Sequence, residues 1–185
     1  RREAFQDLRS KLIEGGLNGG RVYYVRDGEF FVDDLATVKA ELGVVPSDAR
    51  VFQVVPRDGH ASPEVVADEL SRNFEAICRA TGAPRLDVEG YSMGGLSTRI
   101  YLDRGGRAVG RLMTVGTPNQ GTRFAELARH VIHRDIRWAM SMGGLTVADL
   151  PALDWMAVDG RGQNSNPQLR DLNSRWPQQA SHLEA

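Results

Sequence analysis

The chain has 185 residues, a length that suits one domain. Its formal net charge is −1 and 25% of its residues are charged, so the composition indicates no basic surface for nucleic acid or an anionic membrane. No apolar run approaches the roughly 18 residues that predict a transmembrane helix. The single cysteine, Cys78, cannot form an internal disulfide and is predicted to be a small buried residue on a helix. The spacing of cysteine and histidine predicts no metal site, and no motif indicates a cofactor.

Two helices are predicted in the first half of the chain. The first covers residues 2–14, and the pairs Gly15-Gly16 and Gly19-Gly20 end it in a flexible turn. The second begins at Ser62-Pro63, which supply an N-cap and a proline at the first helical position, and ends before Gly82. Its core face is an apolar stripe of Val66, Leu70, Phe74 and Ile77.

Two interpretations compete for the segment between these helices. Asp27-Gly28 stands between two apolar runs, which is a strong signal for a β-hairpin. Alternatively, residues 22–25 form a core strand, followed by a helix over residues 34–42 and a strand at residues 50–55. We favour the second interpretation because it supplies the strand, loop, helix and strand order of a parallel α/β sheet.

The most informative motif is Gly90-Tyr91-Ser92-Met93-Gly94-Gly95, which follows a short β-type run at residues 85–89 and precedes a helical run. Gly-x-Ser-x-Gly at a strand-to-helix junction is the pattern of a nucleophile elbow. Gly90 and Gly94 are expected to remove side chains that would clash in so tight a turn. The helix that starts at Ser92 directs its first N–H groups at a developing oxyanion.

The second half of the chain starts with another strand, and the apolar residues after it change to helical spacing. Gly105-Gly106 turns the chain into the strand Val109–Val115, and the alternation of strands with helices predicts a parallel sheet. Beyond Gly121 the apolar residues follow helical spacing, and all three tryptophans lie beyond residue 130. These adaptable apolar residues would suit either an acyl-chain pocket or the packing of a helical segment on a core.

The sequence around these motifs resembles the lipase and esterase branch of the α/β-hydrolases. The resemblance rests on Gly-Tyr-Ser-Met-Gly-Gly-Leu-Ser-Thr-Arg at residues 90–99, on Gly-Thr-Pro-Asn-Gln-Gly-Thr at residues 116–122, and more weakly on Ala67–Leu70. It implies an α/β-hydrolase core with a parallel sheet over residues 21–120. Residues 1–20 would precede this core as a helix and Gly-rich turn, and residues 121–185 would follow it as a helical cap or lid.

The resemblance also implies a function and roles for individual residues. The protein would be a serine hydrolase of carboxylic esters, with lipid acyl esters as the expected substrates and Ser92 as the nucleophile that forms an acyl-enzyme. The backbone N–H groups of Met93 and Glu29 would form the oxyanion hole. Asp27 departs from the family, which usually has histidine there, and Glu89 departs from an apolar position before the elbow. An acyltransferase or a thioesterase on the same elbow is an alternative, and so is a non-catalytic binding module.

The resemblance leaves the triad acid and histidine unidentified. In this fold both follow the serine, after strands for which no β-type run is present beyond Val115. Asn119 carries no charge with which to orient an imidazolium, and the four histidines are all poorly placed in the sequence: His60, His130, His133 and His182. We therefore expect a core truncated before the acid and histidine, completed by a downstream segment or a second chain. The start of the chain, which has neither methionine nor an apolar leader, favours an excised piece.

Overall fold

The computed structural model describes residues 10–11, 14–33, 40–59, 61–123, 125, 150–158 and 166–184. Two compact units make up the chain: residues 1–57 with 69–86, and residues 58–68 with 87–185. The domain boundaries predicted after residues 20 and 120 remain predictions. The architecture is mixed α/β, with strands in parallel and antiparallel pairs and with helices between and after them.

The first unit is built on a four-stranded sheet. It contains β1 (Val22–Arg26), β2 (Glu29–Asp33), β3 (Ala40–Glu41) and β4 (Phe52–Val54), in the order β3-β2-β1-β4. β1 pairs in parallel with β4 and antiparallel with β2, so it is the inner strand of the three. Its first four residues are all buried, as expected of a β-branched and aromatic strand with neighbours on both edges. The strand predicted at residues 22–25 and the one at residues 50–55 are thus confirmed.

The connection between β1 and β2 is a two-residue hairpin, so the interpretation that we favoured from the sequence is wrong here. Arg26 pairs with Glu29, and the two loop residues Asp27 and Gly28 have φ of 54° and 80°. Two consecutive positive φ values are those of a type I′ turn, whose twist matches that of the flanking strands. The helix predicted over residues 34–42 is also wrong at residues 40 and 41, because Ala40–Glu41 is β3 and pairs with β2. Residues 34–39 of that prediction lie outside the described residues.

A 3₁₀ turn at Leu17–Gly20 precedes β1 and fixes the approach to β4. Asn18 lies in it at φ 58° and is 2% exposed. Its Nδ2 donates to the carbonyl of Val51, and its Oδ1 accepts from the N–H groups of Arg50 and Val51. A single buried amide thus satisfies three backbone groups at the entry to β4, in the way that asparagine commonly serves in a left-handed turn. Before this turn, Ser10, Lys11 and Glu14 are helical, as predicted.

A long helix, α1 (Pro63–Thr81), begins in the second unit and ends in the first. It starts as predicted: Pro63 is its first residue and the Ser62 carbonyl accepts from the N–H of Val66. It ends at Thr81, and the next residue, Gly82, has φ 71° and donates its N–H to the carbonyl of Cys78. The predicted apolar stripe is buried throughout: Val66, Leu70, Phe74 and Ile77.

The second unit contains the strand, helix and strand that carry the elbow motif. β5 (Leu86–Tyr91) leads into α2 (Met93–Asp103), and β6 (Val109–Val115) lies beside β5. The N–H of Ser92, just after β5, donates to the carbonyl of Val115 at the end of β6, so the carboxyl ends of the two strands lie together. The strand before the elbow, the helix after it and the strand at Val109–Val115 are as predicted.

Three helices follow in the described part of the second unit: α3 (Leu150–Met156), α4 (Pro167–Ser174) and α5 (Trp176–Ala180). Asn166 caps α4 by accepting from the N–H of Gln168, and Leu169 and Leu172 on that helix are buried. None of the helices that the structure describes is both long and apolar enough to span a bilayer. Of the aromatic segment predicted beyond residue 130, Trp138 lies outside the described residues.

Candidate active site

Ser92 occupies a backbone conformation that an ordinary residue rarely adopts. Its φ is 50° and its ψ is −125°, between the last residue of β5 and the first of α2. Hydrogen bonds hold the turn on both sides: the N–H of Ser92 donates to Val115 at 2.8 Å, and its carbonyl accepts from the N–H of Gly95 at 3.1 Å. A positive φ at a non-glycine residue costs about 1–3 kcal/mol and persists only where the surroundings fix it. Such strain is typical of a serine presented as a nucleophile.

This turn leaves no space for a Cβ atom on Gly90 or on Gly95. A Cβ on Gly90 would lie 2.7 Å from the Cα of Gly95, and a Cβ on Gly95 would overlap the side chain of Thr117. A Cβ on Gly94, in contrast, would meet no described atom within 4 Å. The clash argument made from the sequence therefore holds for Gly90, while the second close approach is made by Gly95 in place of Gly94. The tight contact arises because β6 and the loop after it pack against the start of α2.

The start of α2 carries the partial positive charge of a helix N-terminus. Met93 is its first residue, and the first N–H groups of a helix have no acceptor within that helix. They carry the positive end of the helix dipole and point away from its body. Residues 95–102 of the helix are all buried, so it is held firmly behind the turn. The roles of the Ser92 hydroxyl and the Met93 N–H remain predictions on this geometry.

The second predicted oxyanion donor, Glu29, is the first residue of β2 and faces Arg26 across the hairpin. Beside it, the N–H of Gly28 donates to the Oδ1 of Asn73 on α1, and Asn73 is fully buried. The hairpin turn is therefore held by a side chain of its own unit. The role of the Glu29 N–H stays a prediction.

The carboxylate of Asp27, which departs from the family pattern, is neutralised locally. Its Oδ2 accepts from the Nε of Arg57 at 2.5 Å, and its Oδ1 lies 3.7 Å from Arg72. The hydrogen bond from Arg57 lowers the pKa of Asp27 below its ordinary value, with further charge attraction from both arginines. Asp27 is thus an ionised, paired side chain at the tip of the hairpin. The two arginines compensate the negative charge of this carboxylate.

The histidine that the structure describes lies at the wrong end of β6 to serve Ser92. The imidazole of His182 contacts the guanidinium of Arg107, just before β6, and the N–H of Glu184 donates to the carbonyl of Gly110. Gly110 is at the start of β6 and Val115, the partner of Ser92, is at its end. At about 3.3 Å per residue these two positions are roughly 16 Å apart. A general base must be within about 3 Å of its proton, so His182 is not the base in this arrangement.

The other three histidines, His60, His130 and His133, lie outside the described residues. Within the parts of the chain that the structure describes, no three or more His, Cys, Asp or Glu side chains are grouped to hold a metal ion. Cys78 is half-buried on α1, and burial raises the pKa of its thiol. Because His182 lies far from Ser92 and the other three histidines are not described, the triad histidine stays unidentified, and so does the triad acid.

Arg99 is the residue near this site that the sequence reasoning missed. It lies on α2 at 4% exposure, and neutral oxygens surround its guanidinium. Nη1 donates to the Oδ1 atoms of Asn119 and Asn173, both at 2.8 Å. Nε donates to the Oε1 of Gln179 and Nη2 to the carbonyl of Leu172, and the ring of Trp176 lies 5.1 Å from the guanidinium carbon. The motif contained this arginine, but only the fold brings its partners together.

The same contacts explain Asn119, which the sequence excluded as the triad acid. Its Oδ1 accepts from Arg99 and its carbonyl accepts from the Nδ2 of Asn173. Asn119 therefore fastens the loop after β6 to α2 and α4. Asn173 of α4 and Gln179 of α5 accept from Arg99 of α2. Arg175, between α4 and α5, donates to Asp103, the last residue of α2. The assignment of residues 121–185 as a cap over the site remains a prediction.

Comparison with known proteins shows that the chain is similar to lipases over part of its length. No protein family model matches the chain. It is 30% identical over 73 residues to a triacylglycerol lipase from Pseudarthrobacter phenanthrenivorans, covering 40% of this chain and 23% of that protein. It is also 30% identical over 73 residues to a triacylglycerol lipase from Burkholderia plantarii, covering 40% of this chain and 20% of that protein. The match thus spans less than a quarter of the length of either relative, and it indicates a lipase-like relationship over that part.

Proposed function

We propose that this chain carries the nucleophile of a serine hydrolase that acts on carboxylic esters, built on an α/β-hydrolase core. The observation that carries the proposal is Ser92 itself, at φ 50° on a turn between a strand and the first residue of a buried helix. A purely structural turn gains nothing from a strained serine, whereas a nucleophile on such a turn gains access to the substrate. The partial likeness to triacylglycerol lipases supports lipid acyl esters as the substrate class.

In the proposed reaction the Oγ of Ser92 attacks the ester carbonyl and its proton passes to a histidine base. The tetrahedral oxyanion is stabilised by the N–H of Met93 at the start of α2. Collapse releases the alcohol and leaves an acyl-enzyme, which water then hydrolyses. Since His182 lies at the far end of β6, we propose that the base and its acid come from outside the described residues. A downstream segment or a second chain would supply them.

A second candidate, a non-catalytic binding module on the same fold, is favoured by that same placement of His182. It differs from the hydrolase in one respect that is open to measurement, because a fluorophosphonate reacts only with a serine that a working base activates. The two candidates therefore predict opposite results in one assay.

The experiment is fluorophosphonate labelling of the chain, with the modified peptide mapped by mass spectrometry. Ser92→Ala should abolish labelling, and Ser174→Ala, which removes an exposed hydroxyl on α4, should leave it unchanged. A sample of the same preparation that has not been treated with the probe would then be tested on a triacylglycerol emulsion and on a short water-soluble ester, to separate lipid esters from other esters. A folded sample that stays unlabelled, both alone and with the downstream segment added, would favour the binding module.

A further inference from the structure

We propose that Thr117 is a positioning residue for Ser92, which holds the elbow turn from the loop that follows the neighbouring strand. The inference rests on the proposed function, because a positioned serine matters only where that serine reacts. Thr117 lies two residues beyond β6, in the loop that begins with Gly116. It acts through the backbone of the turn and does not take part in the chemistry.

The first contact is a hydrogen bond to the strand that delivers the serine. The hydroxyl of Thr117 donates to the carbonyl of Gly90 at 3.2 Å, across 27 residues of sequence. Gly90 is buried and lies two residues before Ser92. Together with the bond from the N–H of Ser92 to Val115, this gives the turn two anchors on one neighbouring segment. The path of the chain into Ser92 is thereby fixed at two successive points.

The second contact is steric and lies on the other side of the serine. The side chain of Thr117 occupies the space that a Cβ on Gly95 would take, with its Cγ2 only 2.8 Å and its Cβ 3.0 Å from that position. Gly95 in turn lies close to Gly90, so the two glycines and the threonine form one packed group around the turn. Thr117 thus touches the backbone both before and after Ser92.

Thr117 is itself held in place, which is what a positioning residue requires. Its carbonyl accepts from the N–H of Asn119 at 2.8 Å, and the Oδ1 of Asn119 accepts from Arg99 on α2. The loop is therefore tied back to the helix that Ser92 begins. A strained φ needs surroundings that over-determine it, and Thr117 supplies part of that constraint. A catalytic group displaced by about 1 Å loses on the order of a hundredfold in rate.

The test compares Thr117→Val, which keeps the shape but removes the hydroxyl, with Thr117→Ser, which keeps the hydroxyl. Two quantities are measured: the rate of fluorophosphonate labelling at Ser92, and the hydrogen-exchange rate of the Ser92 amide by NMR. We expect T117V to slow labelling and to speed exchange by about tenfold each, because the buried carbonyl of Gly90 loses its donor. T117S should stay within about threefold of the wild type in both. Thr114→Val, the same change at an exposed position on β6, should alter neither.

The outcomes separate this proposal from the proposed function. Unchanged labelling and unchanged exchange in T117V would overturn it. An equal increase in exchange at Arg104 and Gly106, whose amides are bonded at the far end of α2, would also overturn it by showing a general loss of stability. If wild-type Ser92 does not label even with the downstream segment added, the proposed function fails for this chain. The exchange of the Ser92 amide then decides by itself whether Thr117 holds the turn.

Discussion

Arg99 and Asn173 join the helix of the candidate nucleophile to a helix 74 residues later, through a hydrogen bond of 2.8 Å from Nη1 to Oδ1. The guanidinium is buried among amide and carbonyl oxygens, and desolvation lowers the pKa of Arg99 while the charge of Asp103 opposes that shift. A buried cation is stable only when its donors are satisfied. Four donated hydrogen bonds meet that need here, which makes Arg99 the centre of a polar network around α2.

Replacement of Arg99 by lysine should destabilise the second unit by about 2–3 kcal/mol, because a single ammonium cannot reach acceptors spread around a planar guanidinium. The measurement is urea unfolding followed by tryptophan fluorescence, since Trp176 stacks on Arg99. Arg170→Lys on the exposed face of α4 is the matched control and should change stability by less than about 0.5 kcal/mol. Equal stability of the two variants would show that the network contributes nothing specific to arginine.

Asp103→Asn should reveal a pH-dependent contribution at the end of α2. The carboxylate accepts from the Nε and Nη2 of Arg175, each at 2.9 Å, and the hydrogen bond from Arg175 lowers the pKa of Asp103 below 3.8. A lowered carboxyl pKa stabilises the folded state fully above the ordinary value and loses that effect as pH falls through the lower, folded value. We expect D103N to be about 1 kcal/mol less stable than wild type at pH 7.

That difference should shrink as pH falls below 3.8, because the wild type then loses the same interaction. Unfolding in urea at a series of pH values measures it. Asp87→Asn is the control: its carboxylate is 69% exposed and 3.5 Å from Arg111, a geometry that contributes little. A constant difference between D103N and wild type at every pH would contradict the assignment to ionisation.

Gly90→Ala and Gly94→Ala should have different effects on stability, although both glycines belong to the elbow motif. A Cβ at position 90 would meet the backbone of Gly95 at 2.7 Å, so we expect a loss of about 2 kcal/mol or more. A Cβ at position 94 meets no described atom within 4 Å, and alanine favours a helix, so stability should be unchanged or rise by up to about 1 kcal/mol. Urea unfolding of the two variants side by side distinguishes them, and similar losses in both would refute the steric account.

Asn18→Ala should loosen the entry to β4 in the first unit. It removes one donated and two accepted hydrogen bonds and leaves alanine at φ 58°, at an expected cost of about 2–4 kcal/mol. Asn18→Asp keeps the acceptor for the two N–H groups and should cost less. Hydrogen exchange of peptides that cover residues 50–55 reports on this region directly. Protection that is the same in N18A and wild type would mean that other contacts hold β4.

The elements around Ser92 were predictable because local signals define them. Ser62-Pro63 begins α1, Gly82 ends it, and the apolar stripe between them has the period of a helix. The motif at residues 90–95 likewise predicts the turn that it forms, because glycines around a serine between a strand and a helix are the pattern of a nucleophile elbow. The sequence signal for the hairpin at Asp27-Gly28 was equally local. The prediction failed there because we preferred an expected order of strands and helices to that strong turn signal.

The sequence alone determined the positions of β1, α1, β5, α2 and β6 and the choice of Ser92 as the candidate nucleophile, because short-range periodicity, caps and turn residues specify them. The tertiary structure decided the rest. It placed Thr117 against Gly90 and Gly95, surrounded Arg99 with amides from residues 119, 173 and 179, and put His182 at the far end of β6. Contacts between residues tens of positions apart depend on how strands and helices pack, and no local pattern of residues encodes that packing.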